Sequence, residues 1–490
     1  MSEQHRPRLL SAILAQTAPF GVRPIHGADQ DPLVAALCFD SRTVTPDSMF
    51  FCVRGEHSDG HQFAQTAVDA GASVLVVDHE VPVTGRVVQV VVRDTRRAMG
   101  PLAAAFFGHP SADLAVIGVT GTNGKTTTTH ILAATLGSLG RPTGVIGTLS
   151  GAHTTPEAPE LQGRLAGFRD EGCVAVAMEV SSHALALDRV AGTQFRVGVF
   201  TNLGHDHLDL HGTQERYFAA KARLFEPALC DHGVVNRDDV HGRLLLDTAQ
   251  IPMASFSASD AADLVVGPFE HSYIWRGVQL TVGLGGRFNV MNSLAAATTL
   301  EVLGHTPAEI AGAIASTTAV RGRFEPVDAG QPFTVVIDYA HTPDALAEVL
   351  AAARGITSSR VVVVFGCGGD RDREKRPQMG TAAANGADVI VITSDNPRSE
   401  DPAEIINDIV GGVPADYRGR IEVQPDRHWA IDVALRAAGQ GDVVVIAGKG
   451  HETTQIFAAN VAPFDDRAVA QELLEAMNPK PTSMITEPSP

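Results

Sequence analysis

The sequence predicts an α/β protein of three domains, and three observations carry that expectation. Short runs rich in Val and Ile alternate with helical stretches along all 490 residues, the order expected when helices join parallel strands. Most of these runs are continuously apolar, as strands covered on both faces are. The length suggests three domains of roughly 150 residues. In order, the expected strands are 115–119, 174–178, 197–200, 234–236, 335–337, 361–365, 389–393 and 443–447, and two later helices cover 289–304 and 308–316. Gly- and Pro-bearing segments at 107–113 (FGHPSAD) and 320–326 (VRGRFEP) place the domains at 1–110, 111–319 and 320–478. Residues 479–490, with Pro, Ser and Thr and no periodicity, read as a disordered tail. Several strands run straight into Gly, Asp, Asn or His, and ligands of open parallel sheets bind at such strand ends.

Bulk numbers exclude other classes. With 38 Lys+Arg against 56 Asp+Glu the net charge is −18, which argues against a nucleic-acid binder needing a basic face. A hydrophobic share of 44 % with 19 % charged residues is globular. No apolar run approaches about 18 residues, so no membrane span is expected. The polar start, without a hydrophobic signal core, points to the cytoplasm. Five widely spaced cysteines with no Cys-x-x-Cys read as reduced, buried thiols rather than a zinc site. Of the 38 basic residues only five are lysines: Lys125, Lys221, Lys375, Lys449 and Lys480. A chain that otherwise uses Arg keeps Lys where a compact ammonium or a deprotonatable amine is needed.

The strongest local signal is the strand 115–119 followed by Gly121, Thr122, Asn123, Gly124, Lys125, Thr126 and Thr127, then a helix from Thr128. Glycines let backbone N–H groups approach phosphate oxygens, Lys125 reaches β/γ-phosphates, and the Thr126 hydroxyl suits Mg²⁺. Five residues separate Gly118 from Gly124, so the spacing is not the common G-x-x-x-x-G-K form. The alternative, a merely structural Gly-rich turn, does not need Lys-Thr after a strand. ATP binding is the reading.

Glu179 follows one strand, and His205, Asp206 and His207 follow what is expected to be the adjacent one. Hard oxygen donors at strand ends suit Mg²⁺ beside a nucleotide, whereas a histidine there can instead orient phosphate or cap a turn. Lys221 falls in a helical stretch, YFAAKARLF, and the residues alone favour an exposed helix lysine. A lysine beside metals can also react, as the neutral amine, with CO₂ to give an anionic carbamate.

Assembled, these motifs resemble the Mur ligases, the ATP-dependent amide-forming family of peptidoglycan synthesis, over essentially the whole chain to about residue 476. GTNGKT at 121–126, Asp206-His207, Asn289 within RFNVMN, GRFE at 322–325 and DYAHTPD at 338–344 carry the family likeness. DSR at 40–42, TTP at 154–156, EVSSH at 179–183 and DNPR at 395–398 narrow it to the ligases that add the third peptide residue.

The resemblance implies a smaller N-terminal domain for the uridine end of the substrate, a central P-loop-type ATP domain and a Rossmann-like domain for the incoming amino acid. Ser41, Glu56, His57 and Ser58 would contact the uridine nucleotide, and Thr154, Thr155, Ser181 and Arg189 the muramoyl dipeptide and its diphosphate. Leu187 stands where some relatives have Gln. ATP would be held by residues 121–127 with Asn289, Arg323, Asp338 and His341. Mg²⁺ would be held by Thr126, Glu179, His207 and a carbamylated Lys221, and Lys125, Lys221, His207 and Glu179 would form the catalytic set. Arg371, Asp395, Asn396, Pro397, Arg398, Gly448 and Glu452 would bind the amino acid.

The implied partners are small molecules, ATP, UDP-MurNAc-dipeptide and meso-diaminopimelate, handled by a monomer. The side-chain carboxylate of D-Glu would be phosphorylated by ATP and the resulting acyl phosphate attacked by the amine. Arg398 would reward the distal carboxylate that distinguishes diaminopimelate from lysine, while Asp395 or Asn396 accepts from an ammonium. Read alone, Asp-Asn-Pro-Arg is an ordinary turn. The rival readings are a lysine-adding ligase and a nucleotide-dependent binding protein that does not ligate.

Overall fold

The computed structural model describes all residues except 1–6, 18–22, 27–29, 56–57, 152, 205–207, 418–420 and 478–490. They form two compact units, one of residues up to 203 with 207–257 and 295–313, the other of 204–206, 258–294 and 314 onward. Glu56, His57, His207 and the tail lie outside the described residues.

The first unit contains two larger sheets and a two-stranded antiparallel pair, Arg8–Leu9 with Leu33–Val34. The N-terminal one runs Arg23–His26, Val88–Val91, Ala72–Val77, Ser48–Phe51, Ala36–Cys38, parallel except for its first pair. Its helix Thr95–Phe107, capped by Asp94 through the Arg96 and Arg97 amides, packs on the helix Ala158–Asp170 of the second sheet's layer. That second sheet is wholly parallel, in the order Met253–Phe256, Cys230–Asn236, Phe195–Phe200, Ala115–Thr120, Ala175–Glu179, Thr143–Ile146. The strand feeding the phosphate loop is therefore flanked on both sides. The strands ending near Glu179 and before His205 are not adjacent, as expected from sequence, but lie either side of it. The chain leaves Ala115–Thr120 for one sheet edge and later crosses to the other side, the topological switch that opens a crevice at strand ends.

The second unit holds a mixed sheet, Glu325–Val327, Thr334–Asp338, Val443–Ala447, Val361–Phe365, Val389–Ile392, Ile421–Val423, antiparallel only at its first pair. Its continuous apolar strands have a simple cause. Val361, Val363 and Phe365 enter one core with Leu346, Leu350 and Met379, while Val362 and Val364 enter another with Ile431, Leu435 and Leu474. Both faces are covered, so no position is left for a polar residue. An antiparallel meander, Ala262–Val266, His271–Trp275, Val278–Val282, was not anticipated.

One boundary is corrected. The helix expected from Thr128 begins at Lys125 and runs to Ser138. Gly124, at φ 85°, takes the cap position and turns the chain three residues earlier, which places Lys125-Thr126-Thr127 in the first helical turn, at the positive end of the helix dipole.

Candidate active site

The phosphate loop is built largely from main chain. Thr122 N donates to Asn202 O and Asn123 N to Asn202 Oδ1, both at 2.9 Å, and Thr201 Oγ1 donates to Asn123 O at 2.6 Å. Thr201 and Asn202 come from the end of the neighbouring strand, and sequence reasoning gave them no role. Gly121 has φ 151°, and a Cβ there would lie 1.9 Å from Thr201 Oγ1, so only glycine fits. The Gly121 carbonyl receives two ammonium groups, Lys125 Nζ at 2.9 Å and Lys221 Nζ at 2.7 Å. Lys125 also donates to Thr122 O at 2.8 Å. Lys221 is 1 % exposed and lies 4.5 Å from the centre of the Tyr217 ring, whose hydroxyl is 3.1 Å from Thr122 Oγ1. The exposed-lysine reading is thereby overturned: the helix Gln214–Ala222 turns Lys221 inward onto the loop. Two cations on one carbonyl concentrate positive charge where an anion is expected, in a chain of net charge −18.

Beside this loop lies a set of hard oxygens. Glu179, the last residue of its strand, is 2 % exposed and accepts from Thr126 Oγ1 at 3.0 Å, Thr148 N at 2.8 Å and Thr148 Oγ1 at 3.2 Å. Thr148 had escaped sequence reasoning; its only signal is its place one residue beyond Gly147 at a strand end. Thr126 and Glu179 thus bring a hydroxyl and a carboxylate together at the helix N-terminus, a donor pair that fits Mg²⁺. Thr155, 1 % exposed, donates to Glu179 O at 2.9 Å and accepts from Ser181 N at 3.0 Å, and Thr154 Oγ1 is 3.1 Å from Thr148 Oγ1. Arg189 pairs with Glu157 at 2.9 Å and donates to Thr155 O at 3.2 Å. Thr154, Thr155, Ser181 and Arg189 therefore join Glu179 and Thr126 in one constellation. Leu187 ends the short helix Ser182–Ala186 capped by Ser181. Ser41 begins a short turn capped by Asp40, and Ser58 is exposed in the N-terminal sheet's layer, accepting from Gly55 N.

In the second unit, Asp338 ends its strand and accepts from Phe324 N and Ala340 N, each at 2.8 Å. Burial pushes its carboxyl above the ordinary range, opposed by Arg323 and those two amides. The Arg323 guanidinium stacks 4.7 Å from the Tyr339 ring, which also neighbours His341 and His451. His341 is exposed, and its carbonyl accepts from Lys375 Nζ at 3.0 Å. Asn289 is fully buried, donating to Gly285 O at 2.7 Å and accepting from Asn292 Nδ2 at 2.9 Å.

The amino-acid residues expected from sequence converge from three loops. Asn396 is their hub: its Nδ2 donates to Glu452 Oε2 at 2.8 Å, and its Oδ1 accepts from Lys449 Nζ at 3.2 Å and Ile456 N at 3.0 Å. Lys449, fully buried, also donates to Thr454 O at 2.6 Å. Asn396 therefore ties loops, which leaves Asp395 as the member of that pair suited to an ammonium. Arg398 sits at φ 52°, a left-handed conformation costing a non-glycine residue about 1 kcal/mol, and its Nη1 donates to Gly369 O at 2.7 Å. Gly369 meets the turn so closely that a Cβ would stand 1.9 Å from Pro397 O. Arg371 is exposed on the same loop, and Gly448 lies beside Asp395. Sequence reasoning missed the arginine beneath: Arg376, fully buried, binds Glu400 at 2.8 Å and Asp408 at 3.0 Å. Glu400 in turn accepts from Asp370 N at 2.6 Å, and Arg376 with that amide holds its carboxyl down at about 2.

Three family descriptions match the chain: "Mur ligase family, catalytic domain" over 34–107, "Mur ligase middle domain" over 119–300 and "Mur ligase, glutamate ligase domain" over 322–450. The chain is 46 % identical over 466 residues to the UDP-N-acetylmuramoyl-L-alanyl-D-glutamate–2,6-diaminopimelate ligase of Geobacillus thermodenitrificans, covering 90 % of this chain and 95 % of that one. A solved structure of a ligase of that same name superposes with a TM-score of 0.66 at 32 % identity, covering 91 % and 96 %. MurF from Acinetobacter baumannii, at 20 % identity and TM-score 0.67 over 97 % and 99 %, shares the fold.

Proposed function

The chain belongs to the Mur ligase family, and from that premise we propose that it joins meso-diaminopimelate to the D-glutamyl side-chain carboxylate of UDP-N-acetylmuramoyl-L-alanyl-D-glutamate, cleaving ATP to ADP and phosphate. The single observation that carries this reading is that Lys125, the cation for phosphate, and the buried Lys221, the amine that would become an anionic carbamate, both reach the phosphate loop at the Gly121 carbonyl, beside the Thr126–Glu179 oxygens. That arrangement suits a reaction in which two anions must meet.

The substrate carboxylate attacks the γ-phosphorus, the bond to the β,γ-bridging oxygen breaks, and an acyl phosphate forms with ADP. Loop amides and Lys125 hold the β- and γ-phosphates, and the N-terminus of the helix Lys125–Ser138 adds its dipole. Mg²⁺, when bound by Thr126, Glu179, His207 and a carbamate on Lys221, supplies charge neutralisation between carboxylate and phosphate. Arg could not replace Lys221, because a guanidinium does not form that carbamate under these conditions. Thr155, Ser181 and Arg189 orient the dipeptide carboxylate. The amine of the incoming amino acid then attacks the acyl carbon, phosphate leaves and the amine proton is released. Asp395 accepts from its ammonium end, and Arg398 meets the distal carboxylate, which lysine lacks.

The test is a mass measurement of the nucleotide product formed with ATP, the dipeptide nucleotide and either diaminopimelate or lysine. Product of diaminopimelate mass, formed at least tenfold faster than with lysine, is expected. Faster turnover with lysine, or no phosphate release with either, sinks the proposal.

A further inference from the structure

Beneath the amino-acid loops lies an ion pair that the reaction does not touch. Arg427 and Asp466 are fully buried and paired twice, Nε to Oδ1 and Nη2 to Oδ2, each at 2.7 Å. Arg427 comes from the start of the helix Arg427–Ala437 and Asp466 from the start of Asp466–Met477. The guanidinium does more than meet its carboxylate. Its Nη2 donates to Ala447 O at 2.9 Å, and its Nη1 reaches Ser394 O at a longer 3.5 Å. Ala447 ends the strand that leads into Gly448–Glu452, and Ser394 immediately precedes Asp395. One buried side chain thus touches the roots of both loops that Asn396, Lys449 and Glu452 tie together higher up. The negative charges of Asp395 and Glu452 both favour its protonated state, so the guanidinium also lies within their electrostatic reach.

The flanking residues extend the pattern. Asp465 pairs with Arg321 at 2.6 Å, and Arg467 pairs with Glu325 at 2.8 Å, while Glu325 accepts from Gly322 N at 2.8 Å. Three consecutive charges at one helix start therefore grip the segment around Arg323 and, through Arg427, the amino-acid loops. A buried guanidinium must place its remaining N–H donors somewhere, and this one places them on the carbonyls at the roots of both loops, so its position and the loop spacing are fixed together.

We infer that Arg427, held by Asp466, is a positioning residue for the amino-acid pocket: it sets the spacing between Asp395–Arg398 and Gly448–Glu452, and with it the selection of the diamino acid. The inference rests on the function proposed above. Two variants test it, both in the full chain and with steady-state kinetics in diaminopimelate, lysine and ATP. The double variant Arg427→Met/Asp466→Leu removes both charges, and buried pairs commonly tolerate such apolar replacement. Arg427→Lys keeps the charge and one contact to Asp466 but cannot span both carbonyls. For each, KM for diaminopimelate is expected to rise tenfold or more, with KM for ATP within twofold and a smaller preference over lysine. Parental KM for diaminopimelate in Arg427→Lys, or in a double variant that folds with parental Tm, overturns the inference. So does an equal rise in both KM values, which marks a general structural role. If the double variant does not fold, Arg427→Lys decides. An inactive parent would instead refute the proposed function.

Discussion

The phosphate loop and the loops proposed to bind the amino acid occupy equivalent places, the carboxyl ends of parallel strands, yet they are made of different materials. The first is one contiguous stretch, held by backbone amides on Asn202 and by two ammonium groups on the Gly121 carbonyl. The second is assembled from three separate segments and fixed by buried side chains, Asn396, Lys449, Arg376 and Arg427. Phosphate is the same in every nucleotide, so amides and a dipole suffice for it. Telling one amino acid from another takes charged groups held within fractions of an ångström, and that needs a supporting layer.

That contrast can be broken. Lys125→Ala should lower kcat by about 10³-fold or more, about 4 kcal/mol of barrier, because a preorganised charge facing phosphate is lost. Its Tm should fall by no more than a few degrees, since the loop keeps its amide bonds to Asn202 and the Lys221 bond to the Gly121 carbonyl. A large Tm loss, read by calorimetry, would show that the lysine is structural.

Arg398→Ala should reduce kcat/KM for diaminopimelate by roughly 10²-fold, and for lysine by less than about tenfold, since only the former offers a second carboxylate. Equal losses with both amino acids would remove Arg398 from selection.

The smallest expected effect concerns the supporting layer. Arg376→Met should lower Tm by a few degrees at neutral pH, because Glu400 loses one of its two arginines, keeping Arg373 at 2.7 Å, and Asp408 loses its contact to Arg376. The Glu400 carboxyl is held at about 2, below its usual 4.5, so the stability it contributes is present above pH 4.5 and lost as pH falls through 2. The Tm gap between parent and variant should therefore narrow on acidification between those values. A gap that stays constant in a pH series of melting curves would show that Glu400 is not the partner that matters.

Sequence alone resolved the two regions unequally, for the same physical reason. GTNGKT is legible because strand, glycines, Lys-Thr and helix follow one another without interruption. Apolar runs marked the strands of both parallel sheets, but such runs carry no information about neighbours, so the strands ending near Glu179 and His205 were placed side by side. Lys221 read as exposed because its helix has only nine residues, too few for a pattern to fix which face turns inward. Asp-Asn-Pro-Arg looked like a turn, and it is one; what matters is the left-handed Arg398 and the loops it meets, which no local pattern records. Arg427 and Asp466 are 39 residues apart, and nothing near either one announces the other.

The burial of the lysines also decides how the protein meets amine-directed reagents. Lys221 and Lys449 are sealed, at 1 % and 0 % exposed. Among the described residues, only Lys125 and Lys375 present amines near solvent, one in the phosphate loop and the other bonded to the His341 carbonyl. On the proposed reading the Lys125 segment holds the nucleotide phosphates. Acylation followed by peptide mass mapping would then trace nucleotide occupancy at Lys125, with Lys375 as the reference mark.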